Sequence, residues 1–74
     1  MSKLPVVSGK GAVKAFQKKG YTLDHQTGSH MILRQQISPF RRLTVPNHKE
    51  LAKGTLRSLI REAGLSAEEF TALL

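Results

Sequence analysis

Hydrophobic positions change period along the chain, and the changes mark out its elements. After an extended lead-in at Leu4-Pro5-Val6-Val7, Val13 and Phe16, with Ala12 and Ala15, form a stripe at helical spacing. Ser8 is placed to cap that helix and Gly20 to close it after Lys19. The period then drops to two. Tyr21 and Leu23 point one way and Thr22 and Asp24 the other, which predicts a strand over 21–25. Gln26-Thr27-Gly28 turns the chain, with Gly28 supplying a residue that tolerates positive φ. In the next strand, ending at Gln35, Met31 and Leu33 share one face while His30, Ile32 and Arg34 share the other. A loop, Gln36-Ile37-Ser38-Pro39-Phe40, leads to a third strand over 41–45, which Pro46 ends. There Leu43 and Val45 continue the apolar face, and Arg42 and Thr44 the polar one.

Beyond a connection at 47–54, Leu56, Leu59, Ile60 and Ala63 recur at i, i+3, i+4 and i+7, predicting a helix from about Thr55 that Gly64 closes. Ser66-Ala67-Glu68-Glu69 reads as a capping box, with Leu65 and Phe70 set for a hydrophobic staple, and starts a last helix over 67–73. The order is α-β-β-β-α-α. Three antiparallel strands on tight loops need cover on one face, which the two longer helices supply, so the expectation is one α+β domain over 1–74 with an open sheet face.

Charge adds a direction to this outline. Twelve Lys or Arg stand against five acids, for a net charge of +7. Nine of those cations and one acid, Asp24, lie before residue 50. A polyanion, nucleic acid above all, is therefore drawn to the N-terminal two-thirds. The plain alternative is a charged surface that only keeps a small protein dissolved. Cysteine is absent, which excludes a disulfide framework and a thiolate zinc site. The chain lacks an apolar run long enough for a membrane, and its Met-Ser-Lys-Leu-Pro-Val-Val start lacks a signal-peptide core, so a cytoplasmic protein with no membrane partner is expected.

Candidate chemistry centres on His30, an imidazole at the start of a strand, beside a turn, on the polar face. Taken alone, it reads first as a surface histidine without a role, since a single histidine defines no site. His25 flanks the first turn; with His30 it lacks a third ligand at convincing spacing, so no metal is expected. His48, after Pro46-Asn47, suits bonding that shapes its loop. Lys10, Lys14 and Lys18 recur along the first helix, and Lys53, Arg57 and Arg61 along the second. Lys53 lies near the helix start, where backbone N–H groups favour phosphate. Arg34, Arg41 and Arg42 gather around the second loop. Tyr21, Phe16 and Phe70 belong to the core, which favours phosphate and 2′-OH contacts over base stacking. No Gly-rich phosphate loop and no paired carboxylates occur near His30, and no cofactor is indicated.

Several short segments together carry a family resemblance. They are Gly28-Ser29-His30 after a Lys-Lys-Gly-Tyr helix end, and Leu43-Thr44-Val45-Pro46-Asn47-His48. Further on come Lys53-Gly54-Thr55-Leu56-Arg57-Ser58-Leu59-Ile60 and Ala63-Gly64-Leu65-Ser66-Ala67-Glu68-Glu69-Phe70. In this order they resemble the HicA family of bacterial toxins, small ribonuclease partners of HicB antitoxins. The resemblance implies a fold similar to a double-stranded-RNA-binding domain and a ribosome-independent endoribonuclease acting on mRNA. It also implies His30 as catalytic residue and neutralisation by a HicB-type antitoxin. Lys10, Lys14, Lys18, Arg34, Arg41, Arg42, Lys53 and Arg57 are the candidate RNA contacts. A non-catalytic RNA-binding module of the same fold, or an adaptor that binds protein through its open sheet, are the competing readings.

Overall fold

The computed structural model describes residues 4–74, so Met1–Lys3, part of the expected domain and of the N-terminal reading, lie outside the described residues. The elements run α1 (Gly9–Gln17), β1 (Tyr21–Gln26), β2 (His30–Gln35), β3 (Arg42–Pro46), α2 (Lys53–Glu62) and α3 (Ala67–Ala72). This is the expected α+β order. The sheet is antiparallel with β2 in the centre, and it packs helices on one side and leaves the other open.

Local chemistry accounts for four of the six helix ends. Ser8 Oγ accepts the Gly11 N–H at 2.9 Å, capping α1. Ser66 Oγ accepts the Glu69 N–H at 3.0 Å while Glu69 accepts the Ser66 N–H at 2.9 Å, so the expected capping box opens α3. Gly20 and Gly64 follow their helices at φ +93° and +76°, conformations that side-chain-bearing residues rarely adopt.

Register pairs Leu23 with Leu33 and Leu33 with Leu43; on the same side, Met31 pairs with Val45. Against this face pack Phe16, Ala12 and Val13 of α1, Leu56, Leu59 and Ile60 of α2, and Phe70 of α3. Phe16 joins the layers, its ring 5.9 Å from Tyr21 in an edge-on contact and 5.2 Å from Phe70. Val7 and Leu51, outside the helices, are also buried, and the Leu51 N–H donates to the Val7 carbonyl at 2.8 Å.

Four expectations change. The second long helix begins at Lys53, not Thr55; Ala52 occupies the cap position without a side-chain bond, and Gly54 is accommodated in the first turn. The third strand runs Arg42–Pro46 and not 41–45: Arg41 lies outside it, and Pro46 is its last residue, because an edge strand can spare the N–H that proline lacks. Gly28 is not at positive φ, since the 27–29 turn closes through Thr27 instead. Leu23 is 43% exposed although it lies on the covered face, because it stands on an edge strand two residues beyond Tyr21, the β1 residue that Phe16 covers.

Candidate nucleic-acid interface

His30 opens the central strand, and Thr27 and Pro46 hold its backbone. Its N–H donates to Thr27 Oγ1 at 3.2 Å, and its carbonyl accepts the Thr27 N–H at 2.9 Å. On the other side it pairs with Pro46. The following residue, Asn47, donates its N–H to the Ser29 carbonyl at 2.9 Å. The exposed His30 ring has Nδ1 3.1 Å from Ser29 Oγ, which leaves Nε2 for another partner.

Along the same face, Arg34 pairs with Arg42 and Ile32 with Thr44. Both arginines are exposed. At about 3.3 Å per residue they stand roughly 13 Å from His30 along the strand. They act on Asp24, whose carboxyl is held below its ordinary pKa first by a hydrogen bond with His25 and then by the nearby charges of Arg34 and Arg42. The register agrees, because Thr22, two residues before Asp24, stands opposite Arg34.

A bulge explains how His25 reaches this neighbourhood. The β1–β2 register steps from Leu23↔Leu33 to His25↔Ile32, leaving Asp24 as the extra residue. Unbroken alternation would group His25 with Tyr21 and Leu23. Instead it stands opposite Ile32, on the face that carries His30. Asp24 Oδ2 lies 3.0 Å from His25 Nδ1, with the side chains 40% and 57% exposed. Sequence reasoning missed this placement, because alternation alone carries no sign of an inserted residue.

The remaining basic residues divide among other surfaces. Lys10 lines a cleft of about 270 Å³ with Ser8, Asn47, His48 and Lys49. The His48 backbone also shapes this region, its carbonyl accepting the Gly9 N–H at 2.8 Å. The exposed Lys14 and Lys18 lie on α1 and at its C-cap, and the exposed Lys53 and Arg57 on α2. They belong to the helix layer, not to the sheet face of His30. Neither α1 nor α2 has an acid in its first turn, where Lys10 and Lys53 stand instead. This reverses the charge that the helix dipole favours and suits an external anion.

Arg41 turns toward the helices. Its guanidinium donates to the Ala63 carbonyl at a long 3.5 Å, lies beside Gly64, and stands close to the buried Tyr21 hydroxyl without closing a hydrogen bond to it. Burial pushes the Tyr21 phenol up and the Arg41 charge partly opposes that. Arg41 is thus separated from Arg42, which sequence proximity had grouped with it. Phe40, omitted from the sequence reading of aromatics, is 62% exposed in the β2–β3 loop. Its position after Pro39 in a loop is a signal that could have found it. Among the described residues, no three His, Asp or Glu side chains come together as a metal site.

The fold defines a small α+β protein of α-β-β-β-α-α order with an open, basic sheet face and an exposed histidine on its central strand. A family model described as the HicA toxin of bacterial toxin–antitoxin systems matches residues 9–65, and the chain belongs to that family. Comparison with curated proteins returned no match. No helix among the described residues is long and apolar enough to cross a membrane.

Proposed function

We propose that the protein is the ribonuclease toxin of a toxin–antitoxin pair, cleaving mRNA without the ribosome at the open sheet face. The supporting observation is the placement of His30 between two basic regions. The paired Arg34 and Arg42 lie along its strand, and a cleft lined by Lys10 and Lys49 lies beyond Asn47. A strand of RNA running along this face and over its edge at Asn47 would present its phosphates to both regions with one linkage over the histidine. His30 Nε2 exchanges a proton with the reacting oxygen, a role worth about 10²–10⁴-fold in rate. Arg34 and Arg42 balance charge on the phosphate backbone. Lys10 extends that contact, while Lys14, Lys18, Lys53 and Arg57 offer a second, helix-borne surface to the remainder of the RNA.

A HicB-type antitoxin would neutralise the toxin by covering this face, through a contact surface at least partly acidic. The arrangement is consistent with action in the cytoplasm, where mRNA is found. Co-expression with the product of the neighbouring reading frame should restore growth and give a co-purifying complex.

The direct test is His30→Ala on one labelled RNA at equal occupancy. The side chain is exposed, so stability should change by less than about 1 kcal/mol. Affinity should persist on its distributed phosphate contacts. Cleavage should fall at least about 100-fold. Undiminished cutting by the folded variant removes His30 from the mechanism. Binding without cutting by the wild type would instead identify a binding module.

A further inference from the structure

We propose that His25, carried onto the open face by the β1 bulge, is a second catalytic residue, the general acid that protonates the leaving oxygen. The proposal rests on the ribonuclease reading above and supplies the proton-transfer partner that one histidine leaves missing.

The geometry comes from the register. His25 stands opposite Ile32, and His30 lies two residues before Ile32 on the same strand. The two histidines are therefore diagonal neighbours on one sheet face, where backbone positions lie about 7–8 Å apart. In-line displacement at phosphorus puts the attacking and leaving oxygens on opposite sides of the reacting atom. Each oxygen needs a proton-transfer group within about 2.6–3.2 Å. Two imidazoles projecting from diagonal positions can flank a phosphate in this way; neighbours on a single strand diverge to opposite faces.

The local bonding separates the roles. Asp24 Oδ2 lies 3.0 Å from His25 Nδ1, so the carboxylate can accept the Nδ1–H and leave Nε2 facing outward. A general acid begins with both ring nitrogens protonated, and Asp24 balances the charge of that form. His30 has only the neutral Ser29 Oγ at its Nδ1, which suits it to begin as the base. The titratable and charged groups facing His25 are Asp24 on its own strand, His30 and Arg34 on β2, and Arg42 on β3. Both arginines also pair with the phosphate backbone in this scheme.

The step balances without an added reagent. His30 Nε2 takes the proton of the 2′-OH as the 2′-oxygen forms its bond to phosphorus. The bond from phosphorus to the 5′-oxygen breaks, and the His25 Nε2–H delivers its proton to that oxygen. The products are a 2′,3′-cyclic phosphate and a 5′-hydroxyl, and proton exchange with water restores both rings.

The test uses the full chain and two RNAs identical except at the linkage that the wild type cuts. One carries the natural 5′-oxygen there and the other a bridging 5′-sulfur, which departs without protonation. On natural RNA, His25→Ala and His25→Gln should both lose at least about 100-fold, while on the sulfur-linked RNA they should stay within about tenfold of wild type. His30→Ala should lose activity on both. The alkaline limb of the pH–rate profile on natural RNA should flatten in the His25 variants.

Normal cutting of natural RNA by folded His25→Ala overturns the assignment, as does equal slowing on both RNAs, which would mark only a binding or structural role. Rescue by sulfur confined to His48→Ala would move the acid to the cleft and overturn it too, and so would a 5′-phosphate product. If His30→Ala abolishes cleavage while His25→Ala does not, the ribonuclease reading stands and this inference alone falls. Absence of cleavage by the wild type overturns both.

Discussion

Replacing Gly9 by Ala should destabilise the protein, against the usual effect of such a change in a helix. Alanine is the better helix former by about 0.8–1.0 kcal/mol in a helix interior. Position 9, however, is the first residue of α1 and sits against the end of β3. A Cβ built there collides with the Pro46 carbonyl oxygen and lies 3.2 Å from both Asn47 Cα and His48 N. All three contacts are backbone, so no flexible side chain can yield. Overpacking of this kind costs about 1–3 kcal/mol. Moving α1 away would weaken the 2.8 Å bond from the Gly9 N–H to His48, worth another ~0.5–1.5 kcal/mol.

The net expectation is a loss of about 1–3 kcal/mol after the propensity gain is set against these costs. For a domain of 60–100 residues each kcal/mol lowers Tm by about 4–8 °C. Urea unfolding should show a lower midpoint with an unchanged slope. Gly54→Ala is the matched control. It also lies in the first turn of a helix, yet a Cβ there meets nothing within 4 Å, so it should gain about 0.4–1 kcal/mol. Because Pro46 pairs with His30, the Gly9 variant should also lose cleavage. A Gly9→Ala protein as stable as the Gly54→Ala control would refute the packing argument.

Arg41 and Glu69 offer two further tests. Arg41→Ala should cost about 0.3–1 kcal/mol through loss of its charge at the C-terminal end of α2. It should also raise the pKa of Tyr21 further, readable as tyrosinate absorbance because the chain has one tyrosine. In contrast, Arg42→Ala should leave stability unchanged and flatten the salt dependence of RNA affinity by about 0.7 per lost single-strand phosphate contact. Glu69 is held below its ordinary carboxyl range by hydrogen bonds from the Ser66 backbone and side chain. Its folded-state pKa is depressed, so its contribution is complete above the ordinary value of 4.5 and is lost as pH falls through the folded value. Glu69→Gln, which keeps an oxygen to accept the Ser66 N–H, should remove that part of the acid-side decline in stability.

Element order, the two faces of the sheet and the caps were legible in the sequence because each depends on neighbours a few residues away. Ser8 and the Ser66–Glu69 box cap their helices through bonds spanning three residues. Met31, Leu33, Leu43 and Val45 are buried because strands alternate. The position of His30 on the open face followed from the same rule, and its segment carried the family resemblance.

Tertiary structure decided what depends on partners distant in sequence. The bulge at Asp24 exists only as a mismatch between β1 and β2, so counting along one strand could not show that His25 changes face. Arg41 and Arg42 are adjacent, yet the Arg41 guanidinium reaches the end of α2 while Arg42 stands opposite Arg34 in the sheet register. Gly28 looked like a turn glycine, and a glycine at a position such as 9 ordinarily only weakens a helix. The structure gives Gly28 open space without positive φ and presses Gly9 onto the Pro46 carbonyl, because close backbone approach leaves no mark in local composition. Local periodicity determines which face a regular strand buries; register and packing determine which side chains meet there.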